Sequence, residues 1–181
     1  MIKNLIAIIL LSICSLSAYG QKIDQISIAA TSKAIGLPFT NYLPYHPGLE
    51  FKATFKTKTT DKKIQRYNVN LGAFFHRRLQ TGFYIGGEFQ YTKTLFQQTI
   101  GLDLPVGLGY LHTFYPNELY EQRENGDFEV VSQFGRPHVY INLGIGISYL
   151  RPKKIHPFIR QELFVQTPFA NSFPVLPHSF F

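Results

Sequence analysis

The sequence predicts an all-β fold: an antiparallel up-and-down transmembrane β-barrel of about eight strands whose last strand is short or missing. Three observations carry this. Apolar residues recur with period two along segments of ten or more residues. Such segments match the roughly 9–11 residues of a strand that crosses a bilayer at a tilt, and exceed the soluble strand of about 5–6. After the first twenty residues, no run of 18 consecutive apolar residues could form a spanning helix.

The chain has 181 residues, which suits one domain at a prior of about 150 per domain. Only 16% are charged against 45% apolar and 15% aromatic. That balance argues against disorder and points to a surrounding that is not only water. Residues 1–20 read as a signal peptide, with Lys3 as a basic start, an apolar core over 5–13, and Ala18-Tyr19-Gly20 as a small-x-small cleavage site. The apolar run ends at Ser15 and Ser17, too short for a transmembrane anchor. Ile13 before Cys14 does not fit a lipoprotein box, so the single Cys leaves with the peptide and no disulfide framework is expected. The barrel domain is then 21–181.

A first strand is expected over 23–34, where Ile26, Ile28 and Ala30 alternate with Gln25, Ser27 and Ala29. Over 48–58, Leu49, Phe51, Ala53 and Phe55 oppose Glu50, Lys52, Thr54 and Lys56. Over 65–75, Tyr67, Val69, Leu71, Ala73 and Phe75 oppose Asn68, Asn70, Gly72 and Phe74. Over 82–92, Phe83, Ile85, Phe89 and Tyr91 oppose Tyr84, Gly86, Glu88, Gln90 and Thr92. Over 101–114, Leu102, Leu104, Val106, Leu108 and Tyr110 oppose Asp103, Pro105, Gly107 and Gly109. Over 138–150, Val139 to Tyr149 at odd positions oppose Tyr140, Asn142, Gly144, Gly146 and Ser148. A seventh strand over 157–166 turns Arg160 and Glu162 inward and sends Gln161 to the outside unless a bulge intervenes. The eighth has only 177–181 to draw on, too short to span.

In each strong segment one face is large and apolar and the other mainly small or polar. This is the pattern of a barrel with lipid outside, a filled polar lumen and aromatic girdles. A soluble lipocalin-like periplasmic carrier of apolar ligands is the alternative; it requires Leu104, Val106, Ile145 and Ile147 to face inward around a cavity. Loop parity agrees with the membrane barrel. With a periplasmic amino terminus, the connections 36–47, 77–81, 115–137 and 168–177 lie outside, all long except the Arg77 turn, and the short ones, 59–63, 93–99 and 151–156, inside.

The stretches GLPFTNYLPYHPGLE (36–50), VGLGYLHTFYP (106–116), QFGRPH (133–138) and TPFANSFPVLPHSFF (167–181) resemble those of small outer-membrane β-barrel proteins of Bacteroidota. The resemblance implies localisation in the cell outer membrane and a further alternating strand with an aromatic end after His178. A chain ending at Phe181 therefore reads as a shortened form.

The candidate lumen charges are Glu50, Lys52, Lys56, Glu88, Asp103, Arg160 and Glu162. They would line an ion path or form a plug, and an eight-stranded lumen, just wide enough for side chains, favours the plug. The candidate interaction loop carries Glu118, Glu121, Arg123, Glu124, Asp127 and Glu129, with Asn125-Gly126 as a hairpin turn. It lacks the D-x-D-x-D-G frame of a calcium loop. The six His residues have no metal-ligand spacing, His178 and Ser179 are adjacent and point apart on a strand, and no nucleophile or phosphate motif occurs. The expected protein is non-enzymatic and takes no cofactor and no metal. Its role is structural, interaction-based or a narrow transport path. Its expected partners are outer-membrane lipid and lipopolysaccharide, the barrel assembly machinery and an unidentified protein. The net charge of +7 does not point to nucleic acid: Lys62, Lys63, Arg77, Arg78, Lys153 and Lys154 cluster at turns, where anionic headgroups are counter-ions.

Overall fold

The computed structural model describes residues 22–40, 45–77, 79–116, 119–122, 126–131, 135–151, 155–168 and 176–180. The expected signal peptide lies outside the described residues. Ten strands follow in chain order: β1 (Gln25–Ile35), β2 (Pro47–Thr60), β3 (Lys63–His76), β4 (Gln80–Leu95), β5 (Ile100–Phe114), β6 (Leu119–Gln122), β7 (Phe128–Val131), β8 (Arg136–Tyr149), β9 (Phe158–Thr167) and β10 (Leu176–Phe180). Eight of them form one antiparallel sheet that closes in the order β1-β10-β9-β8-β5-β4-β3-β2, a meander with every neighbour consecutive apart from the β6–β7 excursion. β6 and β7 pair separately as a hairpin, with Gly126 at φ 88° in its turn.

The connections alternate between the two ends of the ring, and the two longest, 36–46 and 115–135, lie at the same end. At the turn end lie 61–62, 96–99 and 150–157; at the loop end lie 36–46, 77–79, 115–135 and 168–175. The 96–99 turn is tight because Phe96, Gln97 and Gln98 all adopt left-handed backbone, at φ 49°, 54° and 63°. The expected Asn-Gly hairpin is present, although its loop spans five residues, 123–127.

Period two governs which face is buried. Along β8, His138, Tyr140, Asn142, Gly146 and Ser148 are buried while Val139, Ile141, Leu143, Ile145, Ile147 and Tyr149 are exposed. The large apolar face is therefore the outer one. Leu104, Val106, Ile145 and Ile147, which a soluble carrier would turn inward, are 43%, 46%, 44% and 54% exposed.

Two expectations change at the seams. The last strand is short, as predicted, but it is present: β10 pairs Phe180 with Lys33 of β1 and with Glu162 of β9, and so closes the ring at its loop end. Gln161 keeps the outward register of β9 without a bulge, opposite Ile145, yet it is buried rather than set against lipid, and its Nε2 donates to the Oγ of Ser179, also buried, at 2.7 Å.

The lumen differs from a simply small or polar lining. Phe74, Tyr84, Leu111, Tyr140 and Phe164 form its buried apolar cluster, and glycines make room for the rings. Gly86, Gly109 and Tyr140 lie side by side on β4, β5 and β8. Because neither glycine has a Cβ, the Tyr140 ring crosses both strands and its hydroxyl reaches Asn70 Oδ1 of β3 at 3.1 Å. A Cβ on Gly109 would collide with the Ile85 carbonyl and stand 2.6 Å from the Gly86 Cα and the Tyr140 ring. Gly87, one residue along, has open space. Gly109→Ala is expected to destabilise the barrel by about 1–3 kcal/mol, the usual cost of overpacking, and Gly87→Ala to be neutral within about 0.5 kcal/mol. Urea titrations in detergent, followed by far-UV circular dichroism, measure both.

Candidate functional site

The inward positions of β4 read the lumen in layers from loop end to turn end: Gln80, Gly82, Tyr84, Gly86, Glu88, Gln90 and Thr92. The first layer is neutral and polar. Gln80 Nε2 donates to Gln166 Oε1 at 2.8 Å, and His178 Nε2 lies 3.2 Å from the same oxygen.

The second layer is aromatic. Tyr140 and Phe164 stack with centroids 4.4 Å apart, and Tyr84 meets both edge-on at 5.6 and 5.7 Å. Lys33, fully buried, sets its ammonium 3.3 Å from the Phe164 centroid and 4.2 Å from those of Phe74 and Tyr84. Three ring faces thus surround one cation, an arrangement that gains strength when desolvated.

The third layer is ionic. Lys52 Nζ on β2 reaches Glu88 Oε2 on β4 at 2.7 Å and Glu50 at 3.4 Å. Arg160 on β9 reaches Glu88 at 3.5 Å and Glu162 at 3.3 Å. Neutral donors satisfy the remaining oxygens: Asn68 to Glu88 at 2.9 Å, Tyr84 to Glu50 at 3.0 Å and Asn142 to Glu162 at 3.0 Å. Toward the turn end the network continues through Gln90, which accepts from Arg160 at 3.0 Å and donates to Asp103 at 2.9 Å. Thr92 donates to Asp103 at 2.5 Å and accepts from Arg66 at 3.1 Å. Lys52, Arg66 and Arg160 thus share one buried network with Glu50, Glu88, Asp103 and Glu162, while Lys33 lies in the aromatic layer above it.

Of the sequence-predicted lumen charges, the structure brings together Glu50, Lys52, Glu88, Asp103, Arg160 and Glu162. Lys56 stands apart. A β-bulge between Thr54 and Lys56 breaks the period-two count, and the backbone pairs Lys56 with Tyr67; its side chain lies outside the described residues. Lys33 and Arg66 were missed, although continuing the alternation of their strands by two or three residues puts both inside. In the interaction loop, Glu118, Arg123 and Glu124 lie outside the described residues, as do the side chains of Glu121 and Glu129, whose backbones pair across the hairpin. Asp127 is exposed. Among the described residues no group of three or more His, Cys, Asp or Glu could hold a metal ion.

At the loop-end rim, His46 lies buried outside the strands, its ring stacked on His76 with centroids 3.7 Å apart. The His46 backbone accepts from the Lys33 amide at 2.9 Å and donates to Ser32 Oγ at 3.2 Å, which ties the first loop to β1. Burial pushes the His46 imidazole below its ordinary value.

Removing one partner of the ionic layer strands its counter-charge. Lys52→Met is expected to cost about 3–5 kcal/mol, and Lys52→Met with Glu88→Met to recover only part of it, because Glu50 has lost Lys52 and Arg160 has lost Glu88. A double-mutant cycle by urea unfolding in detergent checks this. Acid should loosen the rim. The folded state favours neutral His46, so its contribution is complete above the unfolded value of about 6.5 and is lost as pH falls from there toward the depressed folded value. Unfolding midpoints at pH about 7.5 and about 5.5 should differ less in His46→Gln than in the wild type.

Comparison with known proteins gives no match: no family model fits the sequence, no curated protein resembles it and no solved structure matches it.

Proposed function

We propose that the chain is an exported outer-membrane β-barrel protein, non-enzymatic, whose filled lumen is structural and whose loop end serves interaction. One observation carries the reading: the usual distribution of residues in a water-soluble protein is inverted. Glu50, Lys52, Glu88, Arg160 and Glu162 are joined in ion pairs inside, while the outer face of β8 presents Val139, Ile141, Leu143, Ile145, Ile147 and Tyr149 without interruption. Ten residue steps cover roughly 33 Å of strand at about 3.3 Å each. At the tilt of about 35–45° usual for such barrels, this gives a band roughly 25 Å tall, the height of the apolar belt of an outer-membrane barrel.

The two longest connections, 36–46 and 115–135, share one end and support the orientation expected from the sequence, with Arg77 at that end and Lys62 and Lys63 at the other, where each meets anionic headgroups. The resemblance to small outer-membrane barrels of Bacteroidota belongs to this reading. So do export by the signal peptide and partnership with lipopolysaccharide and the barrel assembly machinery. A narrow transport path is disfavoured because stacked rings and ion pairs fill the lumen across its section. The soluble carrier is disfavoured because its ligand-binding face points outward.

The test is to isolate outer membranes from expressing cells and to compare boiled with unboiled samples on a denaturing gel. A heat-dependent mobility shift in the outer-membrane fraction is expected, together with no unitary conductance in planar bilayers. A soluble periplasmic protein without a shift overturns the membrane reading, and steady single-channel currents overturn the structural role of the lumen.

A further inference from the structure

Across β2, β3 and β4, the outer face ends in lysine at the turn end. Followed toward that end, the outward residues of β4 are Phe89, Tyr91 and Lys93, and the residues opposite them on β3 are Tyr67, Gln65 and Lys63. β2 adds Lys58 opposite Gln65. Residues directly opposite on an antiparallel ladder share a face, so Lys58, Lys63 and Lys93 lie on one surface, and all three are exposed. Lys63 and Lys93 stand about 4.5–5.5 Å apart at their Cβ atoms, and Lys58 is diagonal to Lys63 at about 7–8 Å. The same rank is apolar further round the ring, where Lys93 pairs with Leu102 of β5 and Leu102 with Ile147 of β8. Lysines that only snorkel to water need no such grouping on adjacent strands.

Like charges directly opposite one another destabilise a ladder. Asp24 and Asp61 are exposed at this end, yet among the described residues no ion pair joins Lys58, Lys63 or Lys93 to a carboxylate. The backbone nevertheless holds the three together. Thr60 Oγ1 donates to the Lys63 carbonyl at 3.2 Å and closes the 61–62 turn. The Thr94 amide donates to the Lys62 carbonyl at 3.0 Å, and the Thr94 hydroxyl to the Asp61 carbonyl at 2.9 Å, which fastens that turn to the end of β4. Three ammonium groups carried on a fixed frame without an internal counter-charge call for an external anion.

The neighbours of the lysines say which anion. Tyr91 and Gln65 form the next rank toward the belt, and beyond them the Tyr67 and Phe89 rings pack with centroids 5.3 Å apart. Apolar strand, aromatic rank and lysine rank, in that order, reproduce the passage from acyl chains to headgroups. We propose that the turn-end rim of β2, β3 and β4 is a headgroup site for a glycerophospholipid of net negative charge, deepening the membrane reading on which it rests. Lys58, Lys63 and Lys93 hold the phosphodiester, the Gln65 amide and the Tyr91 hydroxyl meet the glycerol and ester oxygens, and the acyl chains lie against Tyr67 and Phe89. A zwitterionic headgroup is the poorer occupant, because its own ammonium competes with the lysines for the same phosphate.

The test uses full-length protein folded in micelles of an uncharged detergent that contain phosphatidylglycerol and phosphatidylcholine in equal amounts. Native mass spectrometry reads which lipid stays bound. The wild type should retain phosphatidylglycerol about tenfold over phosphatidylcholine, and Lys58→Gln/Lys63→Gln/Lys93→Gln should bring that ratio to about one. Lys22→Gln/Arg77→Gln/Arg151→Gln removes the same formal charge from exposed positions elsewhere and should keep the wild-type ratio. A large excess of glycerol 3-phosphate, which has the phosphate and no chains, should not displace the lipid.

Equal retention of the two lipids by the wild type overturns the proposal. So does an equal loss in both triple variants, which would make the preference a matter of net charge, or displacement by glycerol 3-phosphate, which would make the site one for soluble phosphate. Far-UV circular dichroism verifies that each variant is folded before its ratio is scored. The site and the membrane reading fail separately. A protein found in outer membranes but without lipid preference loses only the site, and one absent from outer membranes loses the membrane reading whatever its preference in micelles.

Discussion

Glu88 is the point through which the interior of the ring is held together. Its carboxylate accepts from Lys52 on β2, Asn68 on β3 and Arg160 on β9, while its own backbone belongs to β4. These strands include nearly opposite sides of the ring, so the bonds run across the lumen and not along the wall. Isolated, any one of these charges would cost several kcal/mol to bury. Joined in ion pairs and surrounded by amide and hydroxyl donors, they turn a requirement for mutual proximity into a constraint on circumference. A ring of another strand number would pull Lys52 and Arg160 away from a common carboxylate.

The aromatic layer solves the complementary problem at the loop end. An eight-stranded lumen must be filled, and charges alone do not fill it. Tyr84 and Tyr140 do both tasks at once, since each ring packs against Phe164 while its hydroxyl bonds downward, to Glu50 and to Asn70. The glycines beside them are the other half of the same solution: volume removed from β4 and β5 is volume occupied by a ring from β8. Lys33 can stand among the rings because their faces take the place of water.

How much of this was legible follows from which rules act locally. Strand identity, the outward face and the loop parity follow from period-two alternation, a property of each segment alone, and seven strands lie within three residues of where the pattern places them. Inward charges on undisturbed alternation, such as Glu88 and Glu162, were equally readable. The bulge between Thr54 and Lys56 was not, because it is decided by the pairing of two strands and leaves no mark in a composition of Thr, Phe and Lys. Which charges meet, and which ring crosses which glycine, depends on the stagger of strands around a closed sheet, information that no single strand contains. The closing role of β10 was hidden for the same reason. Five residues look too short for a strand until Lys33–Ile35 and Glu162–Gln166 are seen to hold an edge on each side of them.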